Sequence, residues 1–343
     1  MESALTTMRS SRSASASAMA DLPLAVGPAI RITFLTTPPP DASDPPFFMP
    51  LVATLVSSPR EQILSQDLAH RAGAAVGASE THWLAENIAC DLDLPADADT
   101  GSAEAALRAA LAGRPIDVVV QDAEKRRKKI LLADMDSTMI DQECIDELAA
   151  EVGIKAEVAA ITARSMNGEI AFEPALRERV ALLAGLSSTV IHRLIETRIT
   201  LASGAVELVR TMRAHGAWTA LVSGGFEAFT GPIAARIGFQ EHRGNRLLEA
   251  GGRLSGLVAE PILGRTAKRD ALLDIAARLG LSPADAIAVG DGANDLDMIR
   301  AAGTGVALHA KPVVAADARV RIDHGDLTAL LYLQGYRRSE FAT

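Results

Sequence analysis

The chain has 343 residues, 48% apolar and 3% aromatic, with 34 basic and 43 acidic side chains for a formal charge of −9. That apolar content excludes wholesale disorder, the acidic balance argues against a nucleic-acid partner, and no apolar run approaches the ~18 residues of a membrane helix. Cys90 and Cys144 are too few for a disulfide scaffold or a four-thiolate zinc site, so the expectation is a multidomain protein of the reducing cytoplasm.

Residues 1–24 are rich in Ser and Ala without a periodic apolar pattern and read as a disordered tail; Arg9 and Arg12 among serines leave a transit peptide as the alternative. Alternation at Ile30, Ile32 and Phe34 predicts a strand over 30–35, broken by Pro38–Pro40. A helix is predicted around Glu61–Val76, a strand near His82–Leu92, a helix over Ala103–Leu111 and a β-branched strand over Ile116–Val120. Residues 25–122 therefore read as a small α+β domain. A linker is expected at 123–129. Its charged run Glu124–Lys129 reads as solvated, with an anion-binding patch as the alternative.

From Ile130 the pattern changes to short apolar runs ending in polar, Gly-containing segments. Ile130–Ala133 stops at Asp134, Trp218–Val222 at Ser223-Gly224-Gly225, and Ala286–Val289 at Gly290-Asp291-Gly292. Buried parallel strands have this form, and in open α/β sheets ligands bind beyond their carboxyl ends. Between the first two runs lie roughly 80 residues of helical pattern, far more than a parallel crossover needs. Ile145, Leu148, Ala149 and Val152 mark one helix there, stopped by Gly153; Pro174 and Gly185 bracket a second over Ala175–Ala184. This insertion reads as a helical cap.

Asp134 and Asp136 stand two apart at a strand end. Neighbouring carboxylates repel unless a cation or a shared proton intervenes, which points to a hard divalent metal; an Asx-turn is the alternative for the pair taken alone. Ser223 and the Gly224 N–H offer an anion cradle, or merely a turn. Lys268 lies near the start of a helical run with Leu272, Ile275 and Leu279, where a plain surface lysine would also fit. Gly290–Asp295 packs two carboxylates and the Asn294 amide into one tight turn. On a helical wheel Leu176, Val180 and Leu183 form an apolar stripe with Arg179 at its edge, while Arg177 and Glu178 point away. An arginine there either meets an anion or snorkels past the core. Cys144 reads as a small helix residue.

In that order, DMDST at 134–138, SGG at 223–225, Lys268 and GDGAND at 290–295 resemble the four motifs of the haloacid dehalogenase superfamily. Over 130–335 the chain resembles the phosphoserine phosphatases within it, including at Glu143–Glu147, Met166–Glu169, Phe172–Val180 and His309–Pro312. The resemblance implies an α/β fold: a Rossmann-like parallel-sheet core over 130–343 with a helical cap at about 141–203, and an ACT-like α+β domain before it. It implies hydrolysis of O-phospho-L-serine through an aspartyl phosphate, the last step of serine biosynthesis. Asp134 would be the nucleophile and Asp136 the general acid and base; Asp134, the Asp136 carbonyl and Asp291 would hold Mg2+. Ser223, the Gly224 N–H and Lys268 would bind phosphoryl oxygens, with Asn294 and Asp295 in support. Glu143 would take the substrate ammonium and Arg179 its carboxylate, with Met166 and Phe172 nearby as cap residues. A homodimer and an amino-acid effector at the N-terminal domain are partners the resemblance allows. The alternatives are a phosphatase or phosphotransferase for another small phosphate, such as phosphothreonine or phosphohomoserine, and an amino-acid sensor with a vestigial site. Against the last, Asp134, Asp136, Ser223, Lys268 and Asp291 are all in place.

Overall fold

The computed structural model describes residues 50–166 and 169–342. The predicted tail at 1–24 and the strand predicted over 30–35 lie outside the described residues, as does the side chain of Met166. All of the described residues fall in one compact unit, Phe48–Thr343.

The chain first forms a small antiparallel sheet with two helices, in the order β1 (Leu51–Ser57), α1 (Gln66–Ala75), β2 (Thr81–Ala85), β3 (Ala89–Asp93), α2 (Thr100–Leu111) and β4 (Ile116–Asp122). Strand order β2-β3-β1-β4 makes it a split βαβ unit of ferredoxin-like type. Its first strand is Leu51–Ser57, a short apolar run for which no strand was expected. The strand expected over His82–Leu92 is a hairpin instead, turned at Asn87 with φ +57°. The helix expected from Glu61 starts at Gln66, where the Ser65 hydroxyl accepts the Leu68 N–H at 3.2 Å.

The period of two along these strands loads both faces of the sheet. Ala53, Leu55, Val118 and Val120 pack with Leu68 and Leu107 of the two helices, while Val56, Leu84, Ala89 and Val119 join the core of the rest of the molecule. The charged run at 124–129 belongs to this junction rather than to solvent. Arg126 reaches Asp91 at 2.7 Å, and the buried Lys128 donates to the Ala284 carbonyl at 2.9 Å. The solvated-linker expectation is corrected at those two residues.

The second layer is a six-stranded parallel sheet. It begins with β5 (Ile130–Ala133), from which a four-helix insertion departs: α3 (Cys144–Glu151), α4 (Lys155–Met166), α5 (Phe172–Ala181) and α6 (Thr189–Thr197). Ile140 and Leu201 pair as an antiparallel bridge, so the insertion leaves and re-enters at one point. The chain continues through α7 (Ala205–Ala214), β6 (Trp218–Phe226), α8 (Glu227–Ile237), β7 (Glu241–Asn245), the ribbon β8 (Leu247–Ala250) and β9 (Arg253–Val258), and α9 (Ala267–Arg278). It ends with β10 (Ala286–Gly290), α10 (Leu296–Ala301), β11 (Thr304–Leu308), α11 (Pro312–Asp317), β12 (Val320–Ile322) and α12 (Ala329–Leu333).

Sheet order is β12-β11-β10-β5-β6-β7. The chain moves outward from β5 to β6 and β7, then returns to the other side of β5 with β10. That reversal is the topological switch point where open α/β sheets bind ligands. Ile130, Leu131, Leu132 and Ala133 are all fully buried, as expected of a strand covered on both faces. Among the described residues no helix is long and apolar enough to cross a membrane.

Candidate active site

The carboxyl ends of β5, β6 and β10 bring together residues far apart in sequence, Asp134 and Asp291 being 157 positions apart. Asp134 follows β5 directly, and its N–H donates to the Val289 carbonyl of β10 at 3.0 Å. One oxygen of its carboxylate accepts both the Met135 N–H at 2.7 Å and the Lys268 ammonium at 2.6 Å. Its other oxygen has no hydrogen bond among the described residues. Asp134 is therefore anchored on one side and open on the other, as a nucleophile or a ligand must be.

Lys268 is the second residue of α9 and only 3% exposed, so it is not a surface lysine. It bridges Asp134 and Asp295, each at 2.6 Å. Burial works to lower its pKa, and the two carboxylates more than reverse that, so the ammonium keeps its proton. Asp295 has both oxygens engaged, the second by the Gly292 N–H at 2.9 Å. The turn can close this way only because residue 290 has no side chain: a Cβ on Gly290 would overlap the Asp295 carboxyl.

Asp134, Asp291 and Asp295 are buried, with ligand oxygens within 4.8 Å of one another. Three carboxylates face one fully buried ammonium, and Lys311 touches Asp291 only loosely, at 3.4 Å. Burial, and then repulsion from Asp295, push the Asp134 carboxyl well above its ordinary range; burial likewise raises Asp291. A hard divalent cation with oxygen ligands is the direct remedy for this charge, so the donor set fits a metal. Asp134 and Asp291 retain lone pairs for it, whereas Asp295 serves as a brace.

Asp136 accepts the Cys144 N–H at 3.1 Å, and burial raises its carboxyl above the ordinary range. Its other oxygen faces Gly225, where a Cβ would stand 3.0 Å from both Asp136 Oδ2 and Ser223 Oγ. The Ser223 hydroxyl is buried and accepts the Gly225 N–H at 2.8 Å. The sequence ends this strand at Val222, ahead of the Ser-Gly-Gly segment. In fact β6 runs through it to Phe226, with a register shift against β7, and α8 starts at Glu227. The cradle is thus a strand irregularity, not a helix N-terminus. Asn294 lies half-buried in the 290–295 turn, and its amide makes no hydrogen bond among the described residues.

Four cap residues were expected here. Glu143 precedes α3 at the exposed rim, where its carboxylate accepts the Ser137 hydroxyl at 3.0 Å. Protein crowded around that carboxyl, followed by the charge of Asp136, pushes it up to about 7. Arg179 is half-buried on α5, with Leu176 and Val180 buried and Arg177 and Glu178 exposed. It donates to Thr162 Oγ1 at 3.3 Å and to the Ala175 carbonyl at 3.2 Å; burial lowers its pKa, against the pull of Asp146 and Glu143. Phe172 meets the cradle, its ring 3.3 Å from the point a Gly224 Cβ would occupy. Met166 closes α4.

Several contributors escaped the sequence reading. Asn245, 2% exposed, donates to the Gly224 carbonyl at 2.9 Å and accepts the Leu263 N–H at 2.8 Å. Thr138 donates to Asp291 at 3.4 Å, and Lys311 lies beside the same carboxylate. Ser137, at φ +56°, turns the chain so that its hydroxyl reaches Glu143. Lys311 sits within the His309–Pro312 segment and Ser137 and Thr138 within the 134–138 motif, both quoted above without a role for these residues; for Asn245 no local signal exists.

A buried aspartate after the first strand, a bridging lysine and an acidic turn after a neighbouring strand define a class. The family model for haloacid dehalogenase-like hydrolases matches residues 131–300, and the chain belongs to that family. Its relatives include a phosphoserine phosphatase of Albidiferax ferrireducens, 47% identical over 210 residues that cover 60% of this chain and 89% of the relative. A phosphoserine phosphatase of Streptomyces coelicolor is 40% identical over 68% of this chain, which spans only 57% of that relative's length. The fold also matches a crystal structure of a HAD-family hydrolase from Salmonella enterica serovar Typhi, with a TM-score of 0.74 and 28% identity over 83% of this chain and 98% of the other.

Proposed function

We infer that the chain is an Mg2+-dependent phosphatase that hydrolyses O-phospho-L-serine to serine and phosphate, the last step of serine biosynthesis, in the cytoplasm. The observation that carries the reading is buried Asp134, one carboxylate oxygen of which is pinned by the Lys268 ammonium and the Met135 N–H while the other makes no hydrogen bond among the described residues. Residues 130–343 would form the phosphatase domain, with 141–203 as its cap.

In the first step the open Asp134 oxygen bonds to phosphorus as the bond from phosphorus to the serine oxygen breaks. The raised Asp136 carboxyl gives its proton to that oxygen. Asp136, now ionised, takes a proton from water as the water attacks phosphorus; the bond to Asp134 breaks and phosphate leaves. Lys268, Ser223, the Gly224 N–H and Asn294 hold phosphoryl oxygens throughout. Asp134, Asp291 and the Asp136 carbonyl would bind Mg2+, which when present neutralises charge on the phosphoryl group. Glu143 receives the substrate ammonium and Arg179 its carboxylate, with Phe172 and Met166 as cap packing around them.

The test is phosphate release from L-phosphoserine, L-phosphothreonine and p-nitrophenyl phosphate, each with Mg2+ and with EDTA. The expected result is strong preference for phosphoserine, abolished by EDTA. Equal rates on all three would remove Glu143 and Arg179 from recognition while leaving the aspartate chemistry.

The ammonium role has a pH signature. Only ionised Glu143 pairs with the substrate ammonium, and the protein crowded around its carboxyl, followed by the charge of Asp136, pushes it up to about 7. kcat/KM for phosphoserine, divided by that for p-nitrophenyl phosphate to cancel the shared catalytic groups, should fall as pH drops through this value. One unit below it the ratio is expected to be ~10-fold lower. A flat ratio would dismiss Glu143 as the ammonium site.

A further inference from the structure

Three consecutive N–H groups of one tight turn, those of Asp323, His324 and Gly325, converge on the Asp117 carboxylate at 2.7–3.2 Å. The turn follows β12 in the parallel-sheet layer, whereas Asp117 is the second residue of β4 in the small layer and 3% exposed. N–H groups left pointing inward without an acceptor are costly, so the conformation of this turn depends on a carboxylate from the other layer. The fit is close: a Cβ on Gly325 would stand 3.2 Å from Asp117 Oδ2 and 3.1 Å from Ala329 Cβ.

From the turn, the connection reaches the active site through one residue. The Gly325 carbonyl accepts from His309 Nε2 at 2.7 Å, and the His309 N–H donates to the Ile322 carbonyl at 2.8 Å. His309 sits at φ +44°, a left-handed conformation that a non-glycine residue keeps only when its surroundings hold it there. Two residues on, the Lys311 N–H donates to the Asp291 carbonyl at 3.1 Å, and its ammonium lies 3.4 Å from Asp291 Oδ2. β11 ends at Leu308, so past that point the strand ladder gives way to these contacts.

We propose that Asp117 is a positioning residue for the reaction at Asp134: through the 323–325 turn and His309 it sets Lys311 against Asp291, and the small layer thereby completes the active site. The proposal rests on the phosphatase reading of Asp291. Its test uses p-nitrophenyl phosphate, so it does not depend on phosphoserine being the substrate.

Asp117→Asn places an amide NH2 against N–H groups that need an acceptor. The expected result is a kcat ~10-fold lower with KM within about twofold, because the fault lies in the alignment of reacting groups and not in the cap. His309→Leu, which removes the donor to Gly325, should give a similar loss, and His309→Gln, which retains one, should recover most of it. The double variant Asp117→Asn/His309→Leu should be no slower than the slower single, since both cut one connection; independent lesions would multiply to ~100-fold. A folded Asp117→Asn enzyme with full kcat, multiplicative losses, or His309→Gln as slow as His309→Leu would each overturn the proposal. Should Asp117→Asn fail to fold, the His309 pair decides: His309→Leu at the wild-type rate overturns it, and selective rescue by Gln supports it. Wild-type turnover of p-nitrophenyl phosphate without turnover of phosphoserine would overturn the substrate assignment and leave this proposal standing.

Discussion

Asp134→Asn is expected to lower kcat by ~10⁴-fold or more on both phosphoserine and p-nitrophenyl phosphate while leaving the protein folded. The amide oxygen can still accept the Met135 N–H and the Lys268 ammonium, which lie at 2.7 and 2.6 Å in the wild type. What is lost is the open carboxylate oxygen, replaced by an NH2 group without nucleophilic character. Stability should move the other way. Burial and the Asp295 charge raise the Asp134 carboxyl well above its ordinary range, so near neutral pH its ionisation costs more in the folded chain than in the unfolded one. A neutral amide removes that cost, and Tm in metal-free buffer should hold or rise. With one ligand carboxylate gone, the rise in Tm on adding Mg2+ should shrink. Retained turnover would place the nucleophile elsewhere. A fall in metal-free Tm would mean that the Asp134–Lys268 pair outweighs the repulsion.

Much of this site was legible because its chemistry is local in sequence. A carboxylate directly after a buried strand can point only beyond the sheet's carboxyl edge, and Asp134 and Asp291 both do. Arg179 was readable from one turn of helix, since its half-burial follows from its angle to Leu176 and Val180. Long-range polar contacts left no such trace. Asn245 holds Gly224 across 21 positions, and Asp117 meets its turn across more than 200, with no periodicity to announce either. The small layer was misread for a related reason. A hairpin of two short strands and a single long strand share the same alternation, and only the left-handed Asn87 tells them apart. The charged run at 124–129 shows the limit of composition: identical residue types there divide between solvent and buried pairs according to what the other layer offers.

Arg179→Ala should separate recognition from chemistry. The guanidinium stands on α5, away from the Asp134–Lys268–Asp295 cluster, and its described bonds are to Thr162 Oγ1 and the Ala175 carbonyl. Neither partner is charged, so the electrostatic company of Arg179 is the pair Glu143 and Asp146. A half-buried cation with only neutral hydrogen-bond partners retains donors for a carboxylate, and Glu143 beside it supplies the complementary charge for an ammonium. The two groups of an amino acid are thus matched in sign at the cap. Removing one partner of such a pair costs ~2–5 kcal/mol, so kcat/KM for phosphoserine should fall by roughly 30-fold to several thousand-fold. p-Nitrophenyl phosphate, which has no carboxylate to lose, should change by about threefold or less, because the phosphoryl contacts are untouched. Arg179→Lys should recover little, since a single ammonium cannot reproduce two parallel N–H···O bonds. Equal losses on both substrates would make Arg179 a cap-packing residue, and full recovery with Lys would reduce its part to charge alone.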